Sequence, residues 1–214
     1  DDIVWMGTQP TLRERCATVG IVETAPMSEL ANYVSRAAQS GQKVHYLPPY
    51  RGDHKLLLQE LLGLHPSQQA QGSSVDFIMA VANMRNHKTA EEIAQIEEAV
   101  DISVDMHVKA MQMVRPGMKE SEVAAAVTEI ALSRGWGLSF PVIATINGQT
   151  LHNHYHGNLI KSGDLFLIDA GAELPSGYCG DMSSTIPADK TFTPRQRAVY
   201  EIQNAMHKAS VEAL

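Results

Sequence analysis

The stretch at residues 164–187 constrains the fold of this chain more than any other part of its sequence. Residues 165–168 are apolar throughout, as in a buried strand, and the run ends at Asp169. A Pro-Ser-Gly turn signal follows at residues 175–177, and a second extended segment after it carries Asp181. The pattern therefore predicts an antiparallel hairpin with one aspartate on each of its two strands.

The two aspartates are candidate metal ligands. If the turn centres near Pro175, Asp169 and Asp181 lie directly opposite each other, with their Cβ atoms about 4.5–5.5 Å apart. Two carboxylates at that distance repel each other unless they share a proton or hold a cation. Carboxylate oxygens suit manganese, cobalt, zinc or magnesium, and a pair of carboxylates can clamp two ions. The alternative interpretation is that both aspartates only cap or solvate the turn.

Three histidines form a second candidate site. His152, His154 and His156 alternate along one short segment, so an extended backbone places all three side chains on one face. Imidazoles in that arrangement suit zinc, nickel or copper. The segment is also polar and ends at Gly157, which is typical of a solvated loop. Both interpretations stay open on the sequence pattern alone.

Composition and charge exclude several classes of function. The chain has 214 residues, of which 44% are hydrophobic and 19% charged, as in ordinary soluble globular proteins. Its formal net charge of −7, without a basic stripe, argues against a nucleic-acid partner. There is no apolar run of membrane-spanning length and no signal-peptide pattern, and two cysteines are too few for a disulfide framework. These features predict a cytoplasmic protein that does not bind membranes.

The first 84 residues predict a small α/β unit, because segments of helical and of extended pattern alternate there. They contain no glycine-rich phosphate loop and no acid–base cluster, so no chemistry is assigned to them. The predicted strands cover residues 3–6, 43–47 and 76–82, the predicted helices cover residues 11–19, 28–40 and 53–64, and a polar loop covers residues 65–74.

The second part of the chain opens with a long predicted helix, for which Thr89 and Glu92 form a capping box. His107 lies on this helix and is expected to be a core residue with satisfied hydrogen bonds. The apolar stripe of the helix is predicted at Ile93, Ile96, Val100 and Val104.

Three further elements are predicted around the two candidate sites. A helix covers residues 119–134, and a strand within residues 139–146 lies at a sheet edge or begins after Pro141. The last helix begins at Thr193, with proline at its first position. Its buried stripe is predicted at Val199, Ile202, Ala205, Met206 and Ala209. The sequence has no initiator Met and ends within this helix, so we expect a chain shortened at both ends.

Several motifs in this order resemble one enzyme family. They are the Arg-x-x-Lys-Thr-x-x-Glu helix start, the Arg-Pro-Gly-Met turn, the His154-Tyr-x-x-Asn158 segment, the Asp169–Asp181 hairpin and the Phe-Thr-Pro-x-Gln-Arg helix start. Together they resemble the catalytic domain of the aminopeptidase P and prolidase family, whose members have the pita-bread fold. Residues 1–84 are similar, more loosely, to the small creatinase-like N-terminal domain of those enzymes.

The resemblance implies a fold of the α/β (α+β) class with two domains. Residues 1–84 would form a creatinase-like α/β domain that lacks its start. Residues 85–214 would form the first half of a pita-bread metallopeptidase domain. The family completes its metal site with one histidine and two glutamates further along the chain, so this chain alone is expected to be inactive.

The resemblance also implies a function. It predicts an Xaa-Pro aminopeptidase, which releases the N-terminal residue from peptides with proline second, through a hydroxide that bridges two metal ions. Asp169 would hold one ion and Asp181 both, with manganese expected and cobalt or zinc as alternatives. His154 would bind the substrate and assist proton transfer. Family members are commonly dimers or larger homo-oligomers.

Two other hypotheses about function stay open on the sequence alone. One is another member of the same fold, either an Xaa-Pro dipeptidase (prolidase) or a metal-free amidinohydrolase of the creatinase type. The other is a non-catalytic pita-bread protein that serves as a binding module. The retention of both aspartates argues against the metal-free and the non-catalytic readings, since neither needs a pair of charges in its pocket.

Overall fold

The computed structural model describes residues 3–214 and divides the chain into two compact units, Asp1–His87 and Lys88–Leu214. The first unit is helical. Its helices are α1 (Ile3–Met6), α2 (Leu12–Ala17), α3 (Leu30–Gln39), α4 (Gly52–Leu62), α5 (Pro66–Gly72) and α6 (Val75–Asn86), with a 3-10 turn at Met27–Glu29. The predicted helices therefore correspond to α2, α3 and α4, whereas none of the three predicted strands forms in the described part of this unit.

The errors in the first unit have local causes. Residues 76–82 lie inside α6, because the Ser74 hydroxyl accepts a hydrogen bond from the backbone N of Phe77 and caps a twelve-residue helix. The predicted loop at residues 65–74 contains α5, which begins with Pro66 after the capping ring of His65. Residues 43–47 form neither helix nor strand, because within residues 3–87 no segment pairs with them in a ladder.

The second unit packs two helices against antiparallel strands. Its elements are α7 (Ala90–Met113), α8 (Glu120–Arg134), β1 (Gly137–Leu138), β2 (Ile143–Thr145), β3 (Leu165–Ala170), β4 (Ala172–Glu173), β5 (Met182–Pro187) and α9 (Pro194–Glu212). The strands β2, β3 and β5 form one antiparallel sheet in that order, and β1 pairs with β4. The strand β2 begins after Pro141 and lies at the edge of the sheet, as the sequence predicts.

The core of this unit lies between α7, α8 and the sheet. Phe166 and Ile168 on β3 are fully buried, as are Val123 and Val127 on α8. Burial of large apolar side chains of this kind is the main stabilising contribution, since truncation of a buried phenylalanine to alanine typically costs about 3–5 kcal/mol. The core fixes β3, which carries the first aspartate of the hairpin.

The buried face of α7 differs from the predicted stripe. Ile93 and Val104 remain 48% and 37% exposed. Two apolar periodicities overlap in this helix, and the buried one contains Ala99 and Ser103, where Gly180 of the hairpin approaches the helix closely. The buried residues of α7 are Ala99, Ile102, Ser103, Met106, His107 and Ala110.

The last helix begins as predicted but does not bury the predicted stripe. The Thr193 hydroxyl accepts from Gln196 N, and the Gln196 side chain accepts from Thr193 N, which completes a capping box. Val199, Ile202 and Met206 are 60%, 63% and 59% exposed, and α9 has no buried residue. The apolar stripe of α9 is present in the sequence, but within residues 3–214 no neighbouring element covers it.

Candidate metal centre

The hairpin has a register two residues away from the one predicted. Asp169 lies opposite Ser183 rather than Asp181. The turn centres on Ser176, because Leu174 N donates to the carbonyl of Tyr178 across a three-residue turn. The third residue of this turn, Gly177, has φ +82°, a left-handed conformation that glycine adopts without strain. The prediction of directly opposed aspartates is therefore wrong.

The same register still brings the two aspartates to one face. Asp181 directly precedes β5 and stands two residues before Ser183, the partner of Asp169, so both aspartate side chains share a face of the pleat. They line one open cavity of about 320 Å³. The other residues around this cavity are Phe140, Pro141, Ile143, His152 and His154.

The side chain of Asp169 has an unsatisfied oxygen. Its Oδ1 atom is buried and has no hydrogen-bond partner among the described residues. Buried polar atoms without a partner are rare in folded proteins, because each loses its hydration without compensation. A carboxylate oxygen in this state fits a cation ligand, and the neighbouring carboxylate of Asp181 is exposed at the same cavity.

Two glycines hold the hairpin in this position. A Cβ atom on Gly171 would lie 1.8 Å from the carbonyl O of Gly180. A Cβ atom on Gly180 would lie 2.2 Å from the Oγ atom of Ser103 and 2.8 Å from the carbonyl O of Ala99, both on α7. Only glycine fits at either position. The small side chains of α7 therefore allow the hairpin to approach the helix next to Asp181.

The three histidines do not act as one cluster. His152 and His154 line the cavity of the aspartates, whereas the Nε2 atom of His156 donates to the carbonyl O of Val142 at 3.0 Å. Within residues 3–214 no group of three or more His, Cys, Asp or Glu side chains is arranged to hold a metal ion. The three-histidine metal site is therefore not supported by the structure.

His107 is a satisfied core residue, as the sequence predicts. It is 2% exposed, and its Nε2 atom lies 3.2 Å from the carbonyl O of Ala170. Because a carbonyl can only accept, Nε2 carries the proton, and Nδ1 accepts from the hydroxyl of Ser184 at 2.9 Å. His107 thus ties α7 to both strands of the hairpin.

Glu92 anchors the tip of the hairpin. Its Oε1 atom accepts a hydrogen bond from the hydroxyl of Tyr178 at 2.6 Å, while its Oε2 atom accepts from the backbone N of Thr89. The Tyr178 hydroxyl first, and the Thr89 amide second, hold the pKa of Glu92 below its ordinary value. The capping box predicted for α7 therefore also fixes the turn between the aspartates.

Glu120 is an important residue near the site that the sequence analysis does not single out. It lies in the first turn of α8 and is 0% exposed. A signal was available, because Glu120 stands three and seven residues before Val123 and Val127, on the apolar face of the helix. A carboxylate on that face predicts buried hydrogen-bond partners.

Comparison with known proteins identifies the family. The model for metallopeptidase family M24 matches residues 94–214, more than half of the chain. The chain belongs to metallopeptidase family M24. The resemblance to aminopeptidase P that the motifs indicate is thereby confirmed, together with the α/β fold class of a pita-bread fragment.

Individual relatives of this M24 chain are Xaa-Pro aminopeptidases. The Xaa-Pro aminopeptidase of Escherichia coli (strain K12) is 35% identical over 145 residues, which are 65% of this chain and 32% of that protein. A probable Xaa-Pro aminopeptidase of Phaeosphaeria nodorum is 26% identical over 219 residues, which cover 100% of this chain and 45% of that protein.

Solved structures give the same result for the fold. Aminopeptidase PepP of Pseudomonas aeruginosa is similar with a TM-score of 0.74 at 25% identity, over 93% of this chain and 47% of that one. Zinc-substituted aminopeptidase P of Escherichia coli in complex with product is similar with a TM-score of 0.74 at 27% identity, over 94% of this chain and 47% of that one. The M24 chain thus spans about half or less of the length of these relatives.

Among residues 3–214, no helix is both long enough and apolar enough to cross a membrane.

Proposed function

We propose that this M24 chain forms the first part of the active site of a metal-dependent Xaa-Pro aminopeptidase. Such an enzyme releases the N-terminal residue from peptides that have proline in the second position. The observation that carries the proposal is the placement of Asp169 and Asp181 on one face of the hairpin, with the buried Oδ1 of Asp169 lacking a partner among the described residues. The Xaa-Pro aminopeptidases among the relatives support this substrate class.

The two aspartates would hold divalent metal. Carboxylates suit hard and borderline cations, and an Escherichia coli aminopeptidase P structure is described as zinc-substituted. In this proposal Asp169 would hold one ion, Asp181 would contribute to both, and manganese is the expected metal. When bound, two such ions would lower the pKa of a shared water and polarise the scissile carbonyl group.

His154 would act on the substrate. Its exposed imidazole lines the cavity of the aspartates, where it can hydrogen-bond a peptide or transfer a proton. The cavity is also lined by the apolar residues Phe140, Pro141 and Ile143. Apolar groups beside carboxylates lower the local dielectric constant and so strengthen electrostatic interactions.

The described residues would supply only part of the ligand set. Two carboxylates leave most coordination positions of an ion to water. We therefore expect weak metal binding and no rapid peptide hydrolysis by this chain alone. A homodimer or larger assembly and a cytoplasmic location are also part of the proposal, supported by the family resemblance and by the composition.

A calorimetric titration with Mn²⁺ tests the proposal. The experiment compares the chain with the double variant Asp169→Asn, Asp181→Asn. The control variant is Asp101→Asn, which removes an exposed carboxylate from α7. We expect weak binding by the chain and by the control, and its loss in the double variant.

Two results would contradict the proposal of a metal site. One is binding by the double variant as tight as that of the unmodified chain, and the other is no Mn²⁺ binding by the unmodified chain. Rapid hydrolysis of an Xaa-Pro peptide by the chain alone would contradict the proposal of an incomplete ligand set.

A further inference from the structure

The carboxylate of Glu120 is buried and satisfied by one segment of chain. Its Oε1 atom accepts from the backbone N of Ile146 at 2.8 Å. Its Oε2 atom accepts from the backbone N of Asn158 at 3.2 Å and from the Nδ2 atom of Asn158 at 2.9 Å. A fully buried carboxylate is tolerated only with such partners, and these come from two positions that bracket residues 147–157.

The helix around Glu120 holds the same segment from its backbone. The N–H of Glu120 donates to the carbonyl O of Asn158 at 3.1 Å, and that of Ser121 donates to the carbonyl O of His156 at 3.0 Å. The first turn of α8 has free N–H groups for this purpose, since they lack partners inside the helix. The loop at residues 147–157 is therefore closed at its base by one helix end.

This loop carries the two histidines of the candidate metal centre. His152 and His154 line the cavity of the aspartates, and both side chains are exposed. Inside the loop, Asn153 Nδ2 donates to Thr145 Oγ1 at 3.2 Å. The Nε2 atom of His156 also donates to the carbonyl O of Val142 at 3.0 Å. Together with these two bonds, the base of the loop sets the position of both imidazoles relative to the aspartates.

We propose that Glu120 is a positioning residue of the candidate active site. Its two oxygens fix both ends of the loop at residues 147–157 and so set where His154 and His152 stand relative to Asp169 and Asp181. The importance of this placement for the reaction rests on the proposed function above. The inference also explains Asn158 of the His154-Tyr-x-x-Asn158 segment, because its amide donates to the buried carboxylate.

The test compares Glu120→Gln with Glu122→Gln in the 214-residue chain. The first variant keeps the size of the side chain but turns an acceptor oxygen into a donor that faces N–H groups. Glu122 is the matched control, since it lies in the same turn of α8, carries the same charge and accepts from Lys119 N at 2.7 Å. The measurements are amide hydrogen exchange and the NMR signals of the histidine rings.

In Glu120→Gln we expect the exchange of the Ile146 and Asn158 amides to become about 10- to 100-fold faster. The imidazole signals of His152 and His154 should shift and broaden, while the signal of the core His107 stays in place. In Glu122→Gln both readouts should match those of the unmodified chain. A merely structural role predicts equal acceleration of buried amides such as that of Phe166.

Three outcomes overturn the inference. They are unchanged exchange at Ile146 and Asn158 in Glu120→Gln, acceleration that is equal throughout the core, and the same loop effect in Glu122→Gln. If Glu120→Gln does not fold, Asn158→Ala replaces it, because this variant removes only the Nδ2 bond and keeps the backbone bonds. The expected effect there is smaller but confined to the same loop, and its absence overturns the inference.

Failure of the proposed function would be seen separately. Mn²⁺ bound at the aspartates broadens nearby imidazole signals, so we expect this broadening at His154 to decrease in Glu120→Gln while metal affinity stays the same. An unmodified chain that binds no Mn²⁺ contradicts the proposed function but leaves the exchange measurements intact. Equal broadening in the chain and in Glu120→Gln, with metal bound to both, contradicts the positioning role alone.

Discussion

Replacement of Gly171 by alanine should separate the strands beside the candidate metal centre. The new Cβ atom would lie 1.8 Å from the carbonyl O of Gly180, and the obstacle is backbone rather than a flexible side chain. Real Cβ atoms essentially never come within 3.0 Å of such an atom, so the two segments must part by about 1 Å or more. Rotation of a side chain cannot relieve this contact.

The magnitude follows from the hydrogen bonds that this movement breaks. Gly180 N donates to Ala172 O at 2.9 Å, and Ser139 N donates to Gly171 O at 3.0 Å. Gly171, Ala172 and Gly180 are buried, so each broken bond leaves at least one buried group unsatisfied, at a cost of about 1–3 kcal/mol per bond. Loss of both bonds would therefore lower the free energy of unfolding by about 2–6 kcal/mol, out of about 5–15 kcal/mol for a typical domain.

Urea unfolding followed by circular dichroism measures this effect. With a slope of about 1–3 kcal/mol per molar urea, a loss of about 3 kcal/mol lowers the midpoint by about 1–3 M. The control is Gly137→Ala, because a Cβ atom on Gly137 meets nothing within 4 Å, and its effect should stay within about 0.5 kcal/mol. If Gly171→Ala unfolds at the midpoint of the unmodified chain, the argument from close approach is refuted.

Two further predictions concern the hairpin tip and the last helix. In Tyr178→Phe the pKa of Glu92 should rise towards its ordinary value of 4.5, as read from the pH dependence of its carboxyl NMR signal. A carboxyl group whose pKa is lowered by folding stabilises the fold at a pH above its unfolded pKa, and this stability is lost as the pH falls through the folded pKa. The variant should therefore lose less stability on acidification than the unmodified chain. An unchanged pKa of Glu92 in Tyr178→Phe would contradict the role of the Tyr178 hydroxyl. Substitution by serine at any one of three exposed positions of α9 should change the urea unfolding midpoint little. A large decrease in the midpoint would show that this face of α9 is buried in solution. The three positions are Val199, Ile202 and Met206.

Local signals in the sequence predicted much of the second unit. The capping boxes that begin at Thr89 and Thr193 form as expected, because their hydrogen bonds join residues only three positions apart. The hairpin with its Pro-Ser-Gly turn also forms, and both aspartates reach one cavity. Their role as metal ligands and the role of His154 remain predictions.

The predictions failed where a local signal was missed or where a choice depended on partners that are distant in the sequence. Residues 76–82 have an apolar run that suits a strand or a helix, and only the cap at Ser74 and the absence of a pairing strand within residues 3–87 separate the two. Likewise, the apolar face of α8 indicates that Glu120 has buried partners, but only the tertiary structure identifies them as Ile146 and Asn158.

The sequence alone thus determined the family, the order of helices and strands around the hairpin and the presence of a carboxylate pair. Tertiary structure decided the register of the hairpin and the buried face of α7. The physical reason is close packing: Gly180 fits against Ala99 and Ser103 of α7 only in this register, and the turn must then place Gly177 at its left-handed position. Such contacts join residues about eighty positions apart, and no local pattern of side chains encodes them.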